Sequence, residues 1–439
     1  MDSITVSKFS GSSLYDAGRV RKSAEIIRSD LSRRYVVVSA PGKTSGSEAG
    51  ITDMLYLCHS MFTEGREHKP MLKEIAGRFS KIVDGLGIHF SIDDMTASLE
   101  RDLFSGKDNG YFASRGEYFM AAIMAEYLGC ELVDAAGIIK FDTNGTLNET
   151  ATCVAASMRL KDTERAVIPG FYGSIQGGKI KTFQRGEGDI TGALVARAVN
   201  AGMFEKWHYK AEILSADAKI VDDPLPVRNI TYREAGELSY VGIPTVHDRA
   251  LFMLMDAGIP SCVRSVMAPE DPGTLITPEL PDGARHNVAV CVAGRRNFSI
   301  VHIEKFGVNK EAGFGEKLFR IFAGHGIACE HCLSGIYRMS VVLKSPVFDI
   351  RKSAILDEIK SVLNATSVTA EKNLSLIAII GQGMGTVHGT FRRAFSALEK
   401  VQVKVRMIDQ GSDDMNIILG VYDEDYNKAI KALYEGMIL

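Results

Sequence analysis

No block of consecutive lysines and arginines stands in the 439 residues, and the formal net charge is −3. A chain without a basic stripe cannot track a phosphate backbone, so nucleic acid is not expected as its main partner. Long apolar runs are missing too; segments such as Leu376 to Ile380 are far too short to cross a bilayer, and no membrane partner is expected. Asp2 and Lys8 flank a short apolar strand without the h-region and cleavage site of a secretory leader, which points to the cytoplasm. Cysteine is sparse: seven residues, an odd number scattered over a long chain, fit reduced thiols rather than a disulfide framework. Cys329-Glu330-His331-Cys332 has metal-like spacing, but no second ligand pair follows, so no metal-ligating residues are expected. A Walker P-loop is lacking as well, because Val37 stands where Gly42-Lys43-Thr44 would need its first glycine.

What is present is an ordinary globular composition, 46% hydrophobic and 24% charged, in a chain too long for one comfortable core. Ile4 to Phe9, Tyr35 to Ser39 and Ala166 to Pro169 read as strands, alternating with helices and glycine loops as in a doubly wound α/β domain. Helices are expected over Asp53 to Phe62, Pro70 to Leu86, from Ser91 with a Ser91/Asp94 capping box, and over Tyr118 to Leu128, opened by Arg115-Gly116-Glu117. A further strand is expected at Leu132 to Phe141. From Lys179 to Gly202 a short alternating segment meets Arg185-Gly186-Glu187-Gly188-Asp189 and then a helical face closed by Gly202: strand, glycine turn, helix. Such a turn presents main-chain N–H groups to an anion, and Arg185 offers a fork for a carboxylate or phosphate; Asp189 reads equally as a helix N-cap. Pro269 to Gly283, with four prolines and two glycines, is the best linker. Beyond it, strands at Phe298 to Glu304, Ile336 to Leu343, Leu374 to Ile380 and Asn416 to Val421 alternate with helices, as in two βαββαβ units of roughly 70 residues each.

Taken in order, these motifs resemble the aspartate kinase family over nearly the whole chain. Lys8-Phe9-Ser10-Gly11-Ser12-Ser13, Val38-Ser39-Ala40 with Ile51-Thr52-Asp53, Ser114-Arg115-Gly116-Glu117, Pro169-Gly170-Phe171-Tyr172-Gly173 and Arg185 to Asp189 are similar to its active-site motifs. Glu237-Leu238-Ser239-Tyr240, Asp271-Pro272-Gly273-Thr274-Leu275, Ile303-Glu304-Lys305-Phe306, Gly313-Phe314-Gly315 and Gln410-Gly411-Ser412 are further landmarks. The resemblance implies an α/β fold: a three-layer amino-acid-kinase domain over residues 1–283, then two ferredoxin-like ACT domains over 284–368 and 369–439. It implies phosphoryl transfer from ATP, with Mg²⁺ held by phosphates and water, to the side-chain carboxylate of L-aspartate. That reaction opens lysine, threonine and methionine biosynthesis.

By the same resemblance Lys8 neutralises the transferring phosphoryl group and Asp189 orients it. Thr52, Glu117, Phe171, Arg185 and Gly186 bind aspartate, Glu117 taking the ammonium and Arg185 the α-carboxylate. Ser10, Gly11, Ser12, Ser39, Asp217 and Lys219 are expected at the nucleotide. Val308, Gly313, Phe314, Ala328, Cys329 and Glu330 are expected at an effector site for lysine or threonine, with ACT modules pairing chains into a homodimer or higher oligomer. The sequence also departs from the family: His208-Tyr209 replaces a Thr-Asp pair, Glu212 a glycine and Pro244 a lysine, while Glu187 adds a carboxylate beside Arg185. Two other readings stay open, a kinase of another small amino or carboxylic acid and a non-catalytic amino-acid-binding regulator.

Overall fold

The computed structural model describes residues 3–43, 49–210, 213–243, 245–281, 283, 288–385, 387–411 and 414–439; Asp2, Thr44, Glu212, Pro244 and Ser412, named above, lie outside these. The chain divides into two compact units, Met1–Ile213 with Val227–Ser239 and Pro244–Pro281, and Leu214–Pro226 with Tyr240–Ile243 and Asp282–Leu439.

The first unit begins with β1 (Thr5–Phe9), α1 (Ala17–Ser29) and β2 (Arg33–Val38). Four helices follow, α2 (Ile51–Thr63), α3 (Lys69–Leu86), α4 (Ile92–Phe104) and α5 (Asn109–Leu128). Then come β3 (Glu131–Leu132), α6 (Ala135–Ile138), β4 (Lys140–Phe141), α7 (Glu149–Leu160), β5 (Ala166–Pro169), β6 (Tyr172–Ile175), β7 (Ile180–Thr182) and α8 (Gly188–Ala198). β8 (Met203–His208), β9 (Asn229–Thr231), α9 (Tyr232–Tyr240), α10 (Asp248–Asp256), β10 (Ser261–Ser265) and β11 (Thr274–Thr277) complete it. One sheet runs in the order β3-β5-β2-β1-β8-β10-β11-β9, and a small one in the order β4-β6-β7.

From β1 the chain moves outward to β2 on one side, and β8 later pairs on the other, both parallel to β1. The crevice beyond the carboxyl ends of these strands is the topological switch point, where open α/β sheets bind ligands. Every residue of β1 is buried, as expected of a parallel strand covered on both faces, and three of them are polar, Thr5, Ser7 and Lys8. Helices α1 to α5 bury Ile27, Ile75, Phe79, Leu99, Phe112 and Met120 in one apolar cluster with Phe9 and Val36 from the sheet.

Three expectations are corrected. The helix expected to open at Arg115 begins six residues earlier, after Asp108, whose carboxylate accepts from Tyr111 N at 2.9 Å; Glu117 is therefore mid-helix. Leu132 to Phe141 is not one strand: Asp134 caps the helical turn α6, accepting from Ala136 N at 2.9 Å, and leaves two-residue strands on either side. The linker Pro269 to Gly283 contains β11, which pairs with β10 and β9 and so belongs to the first unit's sheet.

The second unit contains β12 (Cys291–Glu304), α11 (Phe314–Gly324), β13 (His331–Ser334), β14 (Arg338–Lys344), α12 (Ser345–Val362), β15 (Ser367–Ile380), α13 (Thr390–Lys400), β16 (Met407–Asp409), β17 (Asn416–Tyr422) and α14 (Tyr426–Met437). Its sheet runs β13-β14-β12-β15-β17-β16. β12 and β15 pair antiparallel along most of their length, with register breaks between Arg295 and Ile300. Near that break each strand carries an asparagine with positive φ, Asn297 at 71° and Asn373 at 61°. The later half of β12 with α11, β13, β14, α12 and the first half of β15 makes one βαββαβ repeat. The rest of β15 with α13, β16, β17 and α14 makes the second, completed by the first half of β12. The 18-residue α12 carries a weak apolar stripe, only Phe348, Ile355 and Ile359 being buried, which is why the sequence pattern does not announce it.

Candidate active site

Lys8 and Lys206 occupy paired positions on β1 and β8, so their side chains leave the same face of the sheet. Above that face runs α8, which approaches closely because residue 192 is glycine: a Cβ there would stand 2.6 Å from Phe204 Cε2. One turn earlier on the same helix, Asp189 meets both lysines. Its Oδ1 lies 3.0 Å from Lys8 Nζ and its Oδ2 2.5 Å from Lys206 Nζ, and Oδ2 also accepts from His247 N at 3.0 Å. Lys206 donates further to the Thr245 carbonyl at 2.6 Å. The two ammonium groups and the main-chain donor hold the Asp189 carboxyl far below the usual carboxylate range against its burial. Two cations against one anion leave this buried cluster with a net positive charge. Gly192→Ala is expected to lift α8 from the sheet, costing about 1–3 kcal/mol of stability by overpacking and lowering turnover with it; thermal melts and steady-state assays on one preparation check both.

Lys206 escaped the sequence reading, yet a signal existed. Glu205-Lys206 places two adjacent charges inside an otherwise apolar strand, and alternation sends them to opposite faces. On the far face Glu205 accepts from Arg33 Nε at 2.7 Å, Ser7 Oγ at 2.9 Å and Trp207 Nε1 at 2.9 Å, and pairs with Arg264 at 3.2 Å. That carboxyl is structural, and the opposite face is left to the lysines.

Lys8 opens onto a pocket of about 300 Å³, lined also by Ser39 to Lys43 after β2, Gly50, Thr52 and Asp53 at the start of α2, Glu117, Phe171, Arg185 and Gly186 before α8, and Gly188 at its start. The starts of two long helices thus face one cavity, a setting that favours anions. Glu117 reaches it because Gly116 lets α5 press against the turn after β2; a Cβ at 116 would stand 2.9 Å from Ala40 Cβ. Among the described residues no donor reaches Glu117 Oε2, and burial raises the carboxyl to about 8. Glu117 is thus a buried acid awaiting a cation. Phe171 adopts φ 77°, held by Thr191 Oγ1 accepting from its N–H at 3.2 Å and by its carbonyl accepting from Phe183 N at 2.8 Å. Positive φ is uncommon for a bulky residue, and outliers of this kind cluster at functional sites.

Arg185 is exposed at the pocket mouth, ion-paired with Asp53 and over the Tyr56 ring. The carboxylate that Glu187 adds next to Arg185 turns back into the loop and accepts from Gln184 N at 2.6 Å, and Glu187 rather than Asp189 is the N-cap residue of α8.

After β1, Ser10 to Ser12 enter a 3-10 turn, Gly11–Leu14, with Ser10 Oγ 2.9 Å from Ser12 Oγ. Gly11 packs main chain to main chain on Gly42, whose N–H donates to Gly11 O at 2.9 Å. The Ser12 carbonyl accepts from Arg19 Nη1 at 2.8 Å, and Arg19 lies 3.6 Å from the centre of the Tyr209 ring. Tyr209 thus supports the turn through an arginine. His208 is neutral, pushed down to about 3 by burial, the neighbouring lysines adding to it.

Asp217 and Lys219 lie in the second unit, exposed, in the segment Leu214–Pro226, where Asp217 Oδ1 accepts from Lys219 N at 2.9 Å. That segment is bound to this unit's core by Ala216 and Val221 and by Val292 N donating to Ser215 O at 2.8 Å. In the same unit Val308 and Phe314 are buried in one apolar cluster, with Cys329 packed against it. Gly313, at φ 78°, is the N-cap of α11; Ala328 is exposed, and Glu330 pairs with Lys344 at 3.1 Å. All seven cysteines are free, and among the described residues no group of three or more His, Cys, Asp or Glu could hold a metal ion. No helix among them is long and apolar enough to cross a membrane.

Residues 3–265 match the amino acid kinase family, and residues 377–437 match the ACT domain. The chain is 30% identical over 448 residues to aspartokinase 3 of Bacillus subtilis (strain 168), covering 98% of each. It is 25% identical over 464 residues to lysine-sensitive aspartokinase 3 of Escherichia coli (strain K12), covering 100% of both. The crystal structure of Clostridium acetobutylicum aspartate kinase superposes with a TM-score of 0.89 at 38% identity, covering 99% of this chain and 100% of that one. With a kinase module over more than half its length and aspartokinases that it matches from end to end, the chain belongs to the aspartokinase family.

Proposed function

We propose that the chain transfers the γ-phosphoryl group of ATP to the side-chain carboxylate of L-aspartate, giving 4-phospho-L-aspartate, under feedback control by an amino acid. The observation that carries the reading is the pairing, across one small pocket, of a buried carboxyl with one oxygen left without a donor, Glu117, and a net-positive cluster, Lys8, Asp189 and Lys206. An amino acid placed with its ammonium on Glu117 has its carboxylates directed toward Arg185 and Lys8. A carboxylate oxygen attacks the γ-phosphorus as the bond to the ADP oxygen breaks; no proton moves, so no general base is needed, and catalysis is positioning and charge stabilisation.

In this reading Lys8 meets the charge that develops on the phosphoryl oxygens, and Asp189 fixes Lys8 in place. Thr52, Phe171 and Gly186 complete the aspartate pocket. Ser10, Gly11, Ser12 and Ser39 offer main-chain and hydroxyl donors to the nucleotide, to which Asp217 and Lys219 are assigned as well. Mg²⁺ arrives on the ATP phosphates, held by phosphate oxygens and water.

Residues 1–283 are assigned to the kinase module and 284–439 to two ACT modules, dividing near residue 368. Val308, Gly313, Phe314, Ala328, Cys329 and Glu330 are assigned to the effector, for which lysine is the first choice because a full-length relative is named lysine-sensitive. Pairing of chains through the ACT modules is supported by their exposed apolar side chains, Phe306 and Ile350 being 82% and 81% exposed. Hydroxamate trapping of the acyl phosphate tests the whole reading. The expected result is ATP-dependent aspartyl hydroxamate that falls when lysine is added; product from another acid in preference to aspartate, or none, would overturn it.

A further inference from the structure

The pocket walls are loops, and a loop is only as well placed as whatever holds it from behind. Behind the turn after β2 and the entry to α2 stands Arg78, in the middle of α3. Its Nη2 donates to the Gly42 carbonyl at 2.8 Å, and its Nη1 donates to the Ala49 carbonyl at 2.6 Å, with Met54 Sδ at 3.5 Å. The same guanidinium lies over the ring of Tyr15, 5.3 Å from its centre. One planar fork therefore ties together two pieces of main chain beside the site, the turn after β2 and the residue leading into α2, and stacks on the side chain of Tyr15, which follows the 3-10 turn after Lys8. Among the described residues no carboxylate pairs with Arg78, so its donors go to carbonyls that would otherwise lack this partner.

Small shifts here would be transmitted. A Cβ on Gly42 would stand 2.7 Å from Gly11 C, and one on Gly11 would stand 2.7 Å from Ala40 O, so the two turns touch with no slack. Gly42 and Thr52 line the pocket with Lys8, whereas Arg78 does not; it lines a separate cavity of about 440 Å³ with Tyr15, Asp16, Ala49, Glu74 and Lys81.

We propose that Arg78 is a positioning residue for phosphoryl transfer, setting the location of Gly42 and Thr52 relative to Lys8 without touching substrate. The inference rests on the pocket being the transfer site, as read above. Arg78→Ala is expected to lower kcat/KM for aspartate by about 10–100-fold, the range in which misplacement of about 1 Å falls. Arg78→Lys is expected to stay at least about tenfold down, because a point-like ammonium cannot reproduce a fork on two carbonyls. Methylguanidinium should restore activity severalfold in Arg78→Ala, where the vacated space adjoins the cavity, and should do nothing for the parent protein or for Lys81→Ala. Parent-like kcat and KM in a folded Arg78→Ala protein would overturn the proposal. So would a loss of activity that merely tracks the loss of folded protein and is not rescued. If the parent itself forms no aspartyl hydroxamate, the pocket reading fails instead. Arg78 is then judged by the thermal shift with aspartate plus ATP, an undiminished shift in Arg78→Ala overturning its role.

Discussion

Replacing Lys8 by methionine is expected to lower kcat for aspartyl phosphate formation by about 10³-fold while KM for aspartate stays within about threefold, the pattern of an interaction made mainly in the transition state. Methionine keeps the unbranched apolar stem of lysine and removes the ammonium, with its charge and its donors. Lys8 is 6% exposed, so its ammonium acts where water screens little. Without it, Lys206 and Asp189 cancel, and the pocket loses the net positive charge that faces the phosphoryl oxygens. The fold should tolerate the change better than most broken buried ion pairs, because Asp189 keeps Lys206 at 2.5 Å and His247 N at 3.0 Å. Steady-state kinetics alongside a thermal melt check this. A rise in aspartate KM with kcat preserved would make Lys8 a substrate-binding group and sink the assignment.

Glu117→Gln is expected to cost about 10³ in kcat/KM for aspartate, since a neutral amide cannot balance a desolvated ammonium in a site built around one charge. The pH dependence is more telling. With Glu117 raised to about 8 in the unliganded protein, its carboxyl is protonated at neutral pH and must give up that proton to receive the substrate's ammonium. Aspartate affinity should therefore rise up to about tenfold per pH unit on approaching pH 8 and level off above it. Calorimetric titration in buffers of different ionisation enthalpy should report release of close to one proton at pH 7. Glu117→Gln should abolish both the slope and the proton release. The same raised value bears on the unliganded fold. Between the ordinary value of 4.5 and about 8 the folded form holds a proton that the unfolded chain has lost, so Glu117's contribution to stability falls as pH rises across that window. A pH-independent aspartate affinity in the parent protein would remove Glu117 as the ammonium receptor.

Much of this site was legible before any coordinates, because its parts are local. The strand, turn and helix around Arg185 to Asp189, the buried β1 ending at Lys8 and the glycine turn after it announce themselves through periodicity and glycine placement within about ten residues. Local pattern also misleads. Arg115-Gly116-Glu117 looked like the opening of a helix because glycine interrupts the pattern, whereas Asp108 starts the helix earlier and packing against Ala40 is what the glycine serves. Sequence adjacency puts the Glu187 carboxylate beside Arg185, but the turn hands it the Gln184 N–H instead.

By itself, then, the order of residues determined the strands and most of the helices, the glycine turns, the membership of a family, and the residue types available for chemistry, since all of these follow from short-range backbone preference and motif spacing. Only the tertiary structure decided that Lys206 joins Lys8 on Asp189, that Glu117 lies buried with Oε2 left without a donor, that Arg78 reaches Gly42 and Ala49 from another helix, and that Asp217 and Lys219 fold with the second unit. Each of these depends on which distant segments share a face and exclude water. Burial and long-range pairing set the charge state and reach of a side chain, and neither is a property of its sequence neighbours.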